Sequence, residues 1–336
     1  MLNYITLMQI VGCILVIFGH SYPFITDIPE CLSKIQLFIY SFHMPLFVFC
    51  SGYLFKYTKQ SEKNSFIEFS AKRAKRILVP YFVFSVLGIV PKVLFTQYLN
   101  DTFSFNFSQI MQAFLIPRNN IWGHFWFLPM IYIIGLIGYG IDSIATLFIT
   151  ADNKVTWGGI VIVSFALSFL QFDAGKWFGI NDVMLYFWFF AVGVLTAGIR
   201  QEKLKHRFLM GSVLTAVSVI VFVVSSKIRL YPVKLLNKLI GIAMVYGILF
   251  LCVAVSEMVC IRGNSPLKQT YTMFILSWPC QLTCEIILER ILHMPIYITF
   301  PVEFFVGLFI TMLLIKLIDC FERKTKTRVL SFCLGK

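Results

Sequence analysis

Long apolar stretches separated by short polar loops run through the whole chain. Each has roughly 17–25 residues, enough to cross ~30 Å of hydrocarbon as an α-helix. About ten are predicted as membrane spans, at residues 2–20, 37–55, 77–95, 125–149, 155–172, 183–199, 208–224, 239–259, 271–291 and 296–318. The shorter run 110–116 ends at Pro117 and is predicted to lie at the membrane interface. The pattern predicts an all-α, polytopic membrane helical bundle.

Composition supports a membrane protein. Hydrophobic residues make up 58% of the chain and charged residues 13%, with a mean hydropathy of +0.81. Soluble domains are roughly half apolar and about a quarter charged. Because no long polar stretch is left over, residues 1–336 are predicted to form a single membrane domain. Residues 1–9 carry no Lys or Arg, so we expect the first span to be retained and not cleaved as a signal peptide.

Lysines and arginines cluster in alternate loops, with about 19 on one side of the predicted bundle and about 8 on the other. The positive-inside rule makes the richer side cytoplasmic, together with both termini. That side includes Lys56, Lys59, Lys63, Lys72, Arg73, Lys75, Arg76, Lys154, Arg200, Lys203, Lys205, Arg207, Arg262, Lys268, Arg323, Lys324, Lys326, Arg328 and Lys336. The loop with Lys227, Arg229, Lys234 and Lys238 is the exception and would face outward. Loop lysines and arginines account for the net charge of +13, so we expect membrane lipids and no nucleic acid as partners.

Three histidines lie at or near the ends of predicted spans. His20 ends the first span, His43 begins the second and His124 precedes the fourth. The predicted topology therefore places all three near the outer membrane boundary. Ionisable side chains in membranes are costly and point to function, and a neutral imidazole can accept a proton from a hydroxyl. Alternatively, His20 is a boundary histidine bonded to loop backbone, His43 a cap or orienter above a first-turn Pro45, and His124 part of an aromatic belt with Trp126.

Other polar side chains in the spans are further candidates. Gln9 precedes His20 by eleven residues, about three helical turns and ~16 Å, so the two share one helix face. Glu285 and Glu303, in the last two spans, are costly at membrane depth, and either could orient a histidine as an acid does in a triad. Tyr53 follows Gly52 in the second span and is a packing or hydroxyl-donor candidate. The nine cysteines form no CxxC pair, so no metal site is predicted.

Five segments in this order resemble the bacterial membrane acyltransferases of acyltransferase family 3. They are IVGCILVIFGHS at 10–21, FHMPLFVFCSGYLF at 42–55, KRAKRILVPYFVFS at 72–85, HFWFLPMIYIIGL at 124–136 and YFWFFAVGVL at 186–195. The resemblance implies transfer of an acyl group, usually acetyl, from a cytosolic donor such as acetyl-coenzyme A. The acceptors it implies are hydroxyls of surface glycans or lipid-linked sugars, at the bacterial inner membrane.

The resemblance supports roles for His20, Arg73 and Arg76, and the other candidates are assigned from their own chemistry. His20 would be the general base, with Gln9, Glu285 and Glu303 completing the catalytic set. Arg73 and Arg76, with Lys72, would bind the phosphates of acyl-CoA, since arginine pairs bidentately with phosphate; membrane-inside charge decoration is the alternative. His43, His124, Trp126 and Tyr53 would contact the glycan, and no permanently bound cofactor is expected.

Two positions depart from the family pattern. Gln9 stands where members commonly have arginine, and Trp278 precedes Pro279 where many members have histidine. A glutamine can hydrogen-bond but supplies no fixed cation. Gln9 therefore leaves a non-catalytic relative of the family open. A transporter or flippase of a glycan or lipid precursor, without acyl-transfer chemistry, is a separate alternative.

Overall fold

The computed structural model describes residues 2–21, 28–58, 64–94, 107–148, 153–199, 201, 204–259 and 265–336. Its α-helices are α1 (Asn3–His20), α2 (Glu30–Tyr57), α3 (Phe66–Leu94), α4 (Phe107–Leu115), α5 (Phe127–Phe148), α6 (Asn153–Leu167), α7 (Ile180–Ala197), α8 (Arg207–Lys227), α9 (Lys234–Val255), α10 (Thr270–Glu285), α11 (Ile296–Phe305), α12 (Thr311–Thr325) and α13 (Val329–Cys333). Wide π-helical turns follow α10, at Ile286–Ile291, and join α11 to α12, at Val306–Ile310. Since no residue within these ranges is in a β-strand, the predicted all-α class is confirmed.

Nine helical stretches of the described chain are long and apolar enough to cross a membrane, which confirms a polytopic bundle. The stretch predicted as a span at 155–172 is shorter than expected, because α6 ends at Leu167 after 15 residues, about 22 Å. Tight i→i+3 bonds close its end: the Ser168 and Leu170 N–H groups donate to the carbonyls of Phe165 and Leu167 at 3.2 and 3.0 Å.

The second span is a longer helix than its apolar run. α2 begins at Glu30, and an i,i+4 ion pair between Glu30 and Lys34, at 2.6 Å, stabilises the added polar turns. Pro45 was expected in the first turn but lies inside the helix. There it has no N–H to donate to the carbonyl of Ser41, so the helix loses one backbone bond beside His43.

The third span also begins earlier than predicted. Ser65 and Glu68 form a capping box, in which each backbone N–H donates to the other's side chain at 3.3 Å, and this starts α3 at Phe66. The sequence had predicted Lys72, Arg73 and Arg76 in a loop before this helix. They lie on the helix itself. The basic residues Lys59, Lys63, Arg200, Lys203 and Arg262 lie outside the described residues.

Met1–Cys50 and Ile199–Phe321 form one compact unit, unit 1. At its centre α1 packs against α9 and α10, and Ile17 lies in a buried cluster with Met273 and Ile315. Gly307, in the wide turn between α11 and α12, has no room for a side chain. A Cβ there would lie 2.8 Å from both Ile17 and Gln281, so this turn approaches α1 and α10 closely.

Ser51–Gly198 and Glu322–Lys336 form the other compact unit, unit 2. Here α5 packs against α3 and α7, and α6 against α7. A Cβ at Gly52 would overlap the carbonyl oxygen of Phe190, so these two backbones are in direct contact. The buried Asp142 carboxylate accepts from Lys56 Nζ at 3.0 Å and from Trp157 Nε1 at 3.1 Å. A single domain over residues 1–336 stays a prediction.

The contact at Gly52 gives a test of packing in unit 2. We expect Gly52→Ala to destabilise the protein by about 1–3 kcal/mol, because the added methyl group forces the Phe190 backbone away. Gly140→Ala in α5 is the matched control, since a Cβ there meets no heavy atom within 4 Å. It should be neutral or stabilise by up to about 1 kcal/mol. Thermal unfolding of both variants in detergent decides: equal melting temperatures would contradict the close approach.

Candidate active site

His20 is the last residue of α1, and the turn that carries it is closed by its neighbour in sequence. The Ser21 N–H donates to the Phe18 carbonyl at 3.2 Å, and Ser21 Oγ donates to the Ile17 carbonyl at 2.8 Å. His20 is half-buried. It therefore sits at a defined helix end.

Aromatic side chains of unit 1 surround this imidazole. Trp278 of α10 meets it edge-on, with ring centroids 4.8 Å apart at 87°, and the ring of Tyr40 lies 6.1 Å away. The His43 ring is 5.0 Å from Tyr40. The structure thus brings His20 and His43, both predicted near the outer membrane boundary, close to the same tyrosine. It also places Trp278, one of the two residues that depart from the family pattern, directly against His20.

The carbonyls in the last turn of α1 are bonded by side chains from two other helices. Tyr40 Oη and Gln36 Nε2, from α2, donate to the Gly19 carbonyl at 2.9 and 3.0 Å. Gln281 Nε2, from α10, donates to the Ile17 carbonyl and to Ser21 Oγ, both at 2.8 Å. The last carbonyls of a helix have no partner within that helix, so these donors fix the turn that carries His20. Sequence reasoning missed all three; a glutamine inside an apolar span was the available signal.

His43 is buried and has a defined orientation. Its Nδ1 lies 2.9 Å from the Ile39 carbonyl oxygen. A carbonyl can only accept, so in the neutral ring Nδ1 carries the proton and Nε2 is the acceptor. This bond fits the predicted role of an orienter better than direct contact with a glycan.

Gln9 lies on α1 with His20, and both are half-buried. Eleven residues of helix separate them by ~16 Å along the axis. The Gln9 amide is therefore too far away to bond the imidazole. Its part in catalysis stays a prediction.

The two candidate acids are brought together with a third. Glu285 ends α10, Glu289 lies in the following wide turn and Glu303 is in α11. All three are buried, with Glu303 only 1% exposed, and they are close enough for their charges to interact. Glu289 was missed, although its position four residues after Glu285 puts both on one helix face. That Glu285 or Glu303 orients His20 stays a prediction.

The basic residues of α3, in unit 2, differ in their surroundings. Arg73 Nη2 donates to the Ile131 carbonyl at 2.6 Å and to Ser51 Oγ at 3.4 Å, and its guanidinium packs against Gly135 of α5. Arg76 and Lys72 are exposed, and Lys72 donates to Asn64 Oδ1 at 2.6 Å. Arg73 thus ties α3 to α5, whereas Arg76 and Lys72 are accessible to a ligand.

The predicted glycan contacts of unit 2 differ in their exposure. His124 is 6% exposed and Tyr53 is 2% exposed, so both are buried, and their contact with a glycan stays a prediction. Trp126 is half-buried; its ring stacks on Tyr186, 5.7 Å away at 28°. The Arg118 guanidinium lies 4.4 Å from the same Trp126 ring.

Arg118 is paired with a buried acid. Its Nε donates to both carboxylate oxygens of Asp182, at 3.1 and 3.0 Å, and Nη2 to Oδ1 at 2.5 Å. Burial alone would lower the pKa of Arg118, but the hydrogen bonds and charge of Asp182 raise it. The guanidinium is therefore permanently charged and held in place. Among the described residues, no group of three or more His, Cys, Asp or Glu side chains is arranged to hold a metal ion.

Comparison with known proteins gives one match. The family model described as an acyltransferase domain matches residues 2–319. This range includes every candidate residue above. Searches of curated proteins and of solved structures find no match.

The donors at the end of α1 give a test of how His20 is held. We expect Gln281→Leu to destabilise the protein by about 1–3 kcal/mol, because the Ile17 carbonyl and Ser21 Oγ lose a buried partner. Hydrogen exchange of residues 17–21 should speed up in the same variant. Thr283→Val, on the same helix, is the control, because Thr283 is exposed and, within the described residues, bonds the Pro279 carbonyl of its own helix. Unchanged exchange in Gln281→Leu would show that this residue does not fix the turn.

Proposed function

We propose a reaction for this chain from the premise that it belongs to acyltransferase family 3. Membership and the nine long apolar helices support acyl transfer by a membrane-embedded enzyme. The proposed donor is acyl-CoA, with acetyl as the acyl group. The proposed acceptor is a hydroxyl of a surface glycan or lipid-linked sugar, at the bacterial inner membrane with both termini in the cytoplasm.

The observation that carries this proposal is the fixed position of His20, a half-buried residue at a helix end. Gln281, Tyr40 and Gln36 hold the helix end that presents it, which is the preorganisation that proton transfer needs. The rings of Trp278 and Tyr40 add apolar surface on which the carbon face of a sugar ring can pack.

The proposed chemistry is acyl transfer with His20 as general base. The acceptor hydroxyl attacks the thioester carbonyl carbon while His20 takes its proton. The new C–O ester bond forms and the C–S bond of the thioester breaks. The proton then passes from His20 to the departing coenzyme A thiolate, so the products are the O-acylated glycan, free coenzyme A and neutral His20.

Arg76 and Lys72 are the proposed contacts for the donor's phosphates. Both are exposed cations on one helix, and coenzyme A presents a diphosphate and a further phosphate that arginine can bind bidentately. Arg73 is proposed to support this site by tying α3 to α5. Gln9 in place of arginine leaves this position of α1 without a fixed cation.

Replacement of His20 tests the chemistry. We expect His20→Ala to lower the rate of acyl transfer by about 10²–10⁴-fold, the usual contribution of a positioned base. The measurement uses purified protein in lipid with labelled acetyl-CoA and glycan acceptors, with the acylated glycan detected by mass. His293→Asn is the control: His293 is exposed with φ 51°, a conformation that asparagine tolerates.

The same assay separates the enzyme from the alternatives. Equal rates for wild type and His20→Ala would remove His20 as the base. Movement of glycan across the bilayer without any acylated product would replace the enzyme with a transporter. If the assay shows neither acylated product nor glycan transport, the chain is a non-catalytic relative of the family.

The two arginines of α3 should respond differently to alanine. We expect Arg76→Ala to raise KM for acyl-CoA about tenfold or more, because a charge-assisted contact is worth about 1.5–3 kcal/mol, with the melting temperature unchanged. Arg73→Ala should instead lower the melting temperature, because α3 loses its bond to Ile131. Lys324→Ala, which removes another exposed cation of unit 2, is the control for general loss of charge. Equal KM values for Arg76→Ala and wild type would show that Arg76 does not bind the donor and is only one of the basic residues of the cytoplasmic side.

A further inference from the structure

A cavity of about 250 Å³ lies in unit 2, where the segment before α5 meets the segment before α7. Its lining includes Arg118, Gln171, Lys176, Asn181, Asp182 and Leu185. Ligand pockets run from ~300 Å³ upward, so this cavity fits a group of about monosaccharide size. None of the catalytic or donor roles proposed above uses it.

Arg118 is held rigidly in this cavity. The Asp182 carboxylate, whose side chain is 8% exposed, binds Nε and Nη2, and the Trp126 ring lies against the guanidinium. The Arg118 side chain is nevertheless 56% exposed. In the described part of the chain its hydrogen bonds use Nε and Nη2, so Nη1 is left to contact a ligand. An arginine fixed in this way loses little freedom when it binds an anion.

Lys176 is the second cation of the cavity. It is exposed and lies in the 3₁₀ segment Asp173–Gly179. Asn181 fixes the start of this segment, because its Nδ2 donates to the Phe172 carbonyl at 2.9 Å and its Oδ1 accepts from the Phe172 N–H at 3.3 Å. The segment ends at Phe178 and Gly179, with φ of 55° and 73°. Non-glycine residues with positive φ are uncommon and occur often at binding sites.

The charges favour an anionic ligand. Arg118 and Lys176 are cations and Asp182 is the one carboxylate among the lining residues, so the lining carries a net charge of +1. Gln171, exposed at the rim, adds an amide that can both donate to and accept from sugar hydroxyls. A cation pair with amides and an apolar wall suits a charged sugar better than a bare ion.

We infer that this cavity binds the acidic group of a sugar residue, a uronate carboxylate or a sugar phosphate, in the acceptor glycan. The acid would contact Arg118 Nη1 and the Lys176 ammonium, with the sugar ring beside Gln171 and Leu185. The inference rests on the proposed function, because it specifies the glycan acceptor as acidic. In the proposed topology the cavity lies at the outer side of the membrane, where such glycans are found.

Calorimetry on the purified protein in nanodiscs of phosphatidylcholine tests this. The probes are a glucuronate-ended disaccharide, glucose 6-phosphate, the matched neutral disaccharide and inorganic phosphate. We expect at least one acidic sugar to bind about tenfold or more tightly than both the neutral disaccharide and inorganic phosphate. Whichever of the two acidic sugars binds more tightly identifies the acid as a carboxylate or a phosphate. Lys176→Glu should weaken this binding about tenfold or more, the effect of a lost charge-assisted contact.

Lys227→Glu is the matched control, because Lys227 is an exposed lysine of unit 1 and its replacement makes the same charge change away from the cavity. Arg118→Lys keeps the charge but loses the planar fork, and should also weaken binding. If Arg118→Lys does not fold, Lys176→Glu decides alone, since Lys176 is exposed. Equal binding of acidic and neutral sugars, or an unaffected Lys176→Glu variant, would overturn the inference.

Two further results would also overturn it. Inorganic phosphate binding as tightly as the sugars would reduce the cavity to a general anion site. Loss of sugar binding when the nanodiscs contain anionic lipid would assign it to a lipid headgroup. The acyl-transfer assay judges the proposed function separately. If wild type and Lys176→Glu transfer the acyl group equally well to neutral glycans, only this inference is removed. If acidic sugars bind but no glycan is acylated, only the enzyme reaction is removed.

Discussion

The backbone carbonyls in the last turn of α1 are the constraint on which the candidate active site depends. A helix end in an apolar surrounding must find donors for these carbonyls outside the helix. Here Gln281 comes from α10 and Tyr40 and Gln36 from α2. Bonding that satisfies the backbone therefore also fixes the position of His20, so stability and placement of the imidazole have the same cause.

In unit 2 the group that needs a bonding partner is a buried carboxylate. The Asp182 carboxylate is buried at the start of α7 and is costly unless a cation bonds it. Arg118 supplies that cation, and the Trp126 ring packs against its guanidinium. Because the pairing holds the guanidinium still while leaving it partly exposed, the same contact that makes the buried acid tolerable also produces a fixed positive charge at a cavity wall.

Hydropathy was enough to predict the helical class and the approximate spans, because each span must be apolar over the thickness of the bilayer. It missed the polar helix turns that extend α2 and α3, since the Glu30–Lys34 pair and the Ser65–Glu68 capping box are local bonds with no apolar signal. The position of His20 in the sequence suggested a function. Its contacts with Trp278 and Gln281 depend on how distant helices pack, which no periodicity within one helix reveals.

The wide turn Val306–Ile310 has a consequence for how sequences of this kind are compared. Glu303 and Thr311 are both buried, at 1% and 0% exposure, yet eight residues of regular α-helix would rotate one from the other by about 80°. The wide turn absorbs roughly one extra residue, which returns both to the same side. A homologue with a regular helix here would need a one-residue gap in the middle of a membrane span. An ungapped alignment would pair every residue beyond Ile310 with a neighbour that faces a different direction.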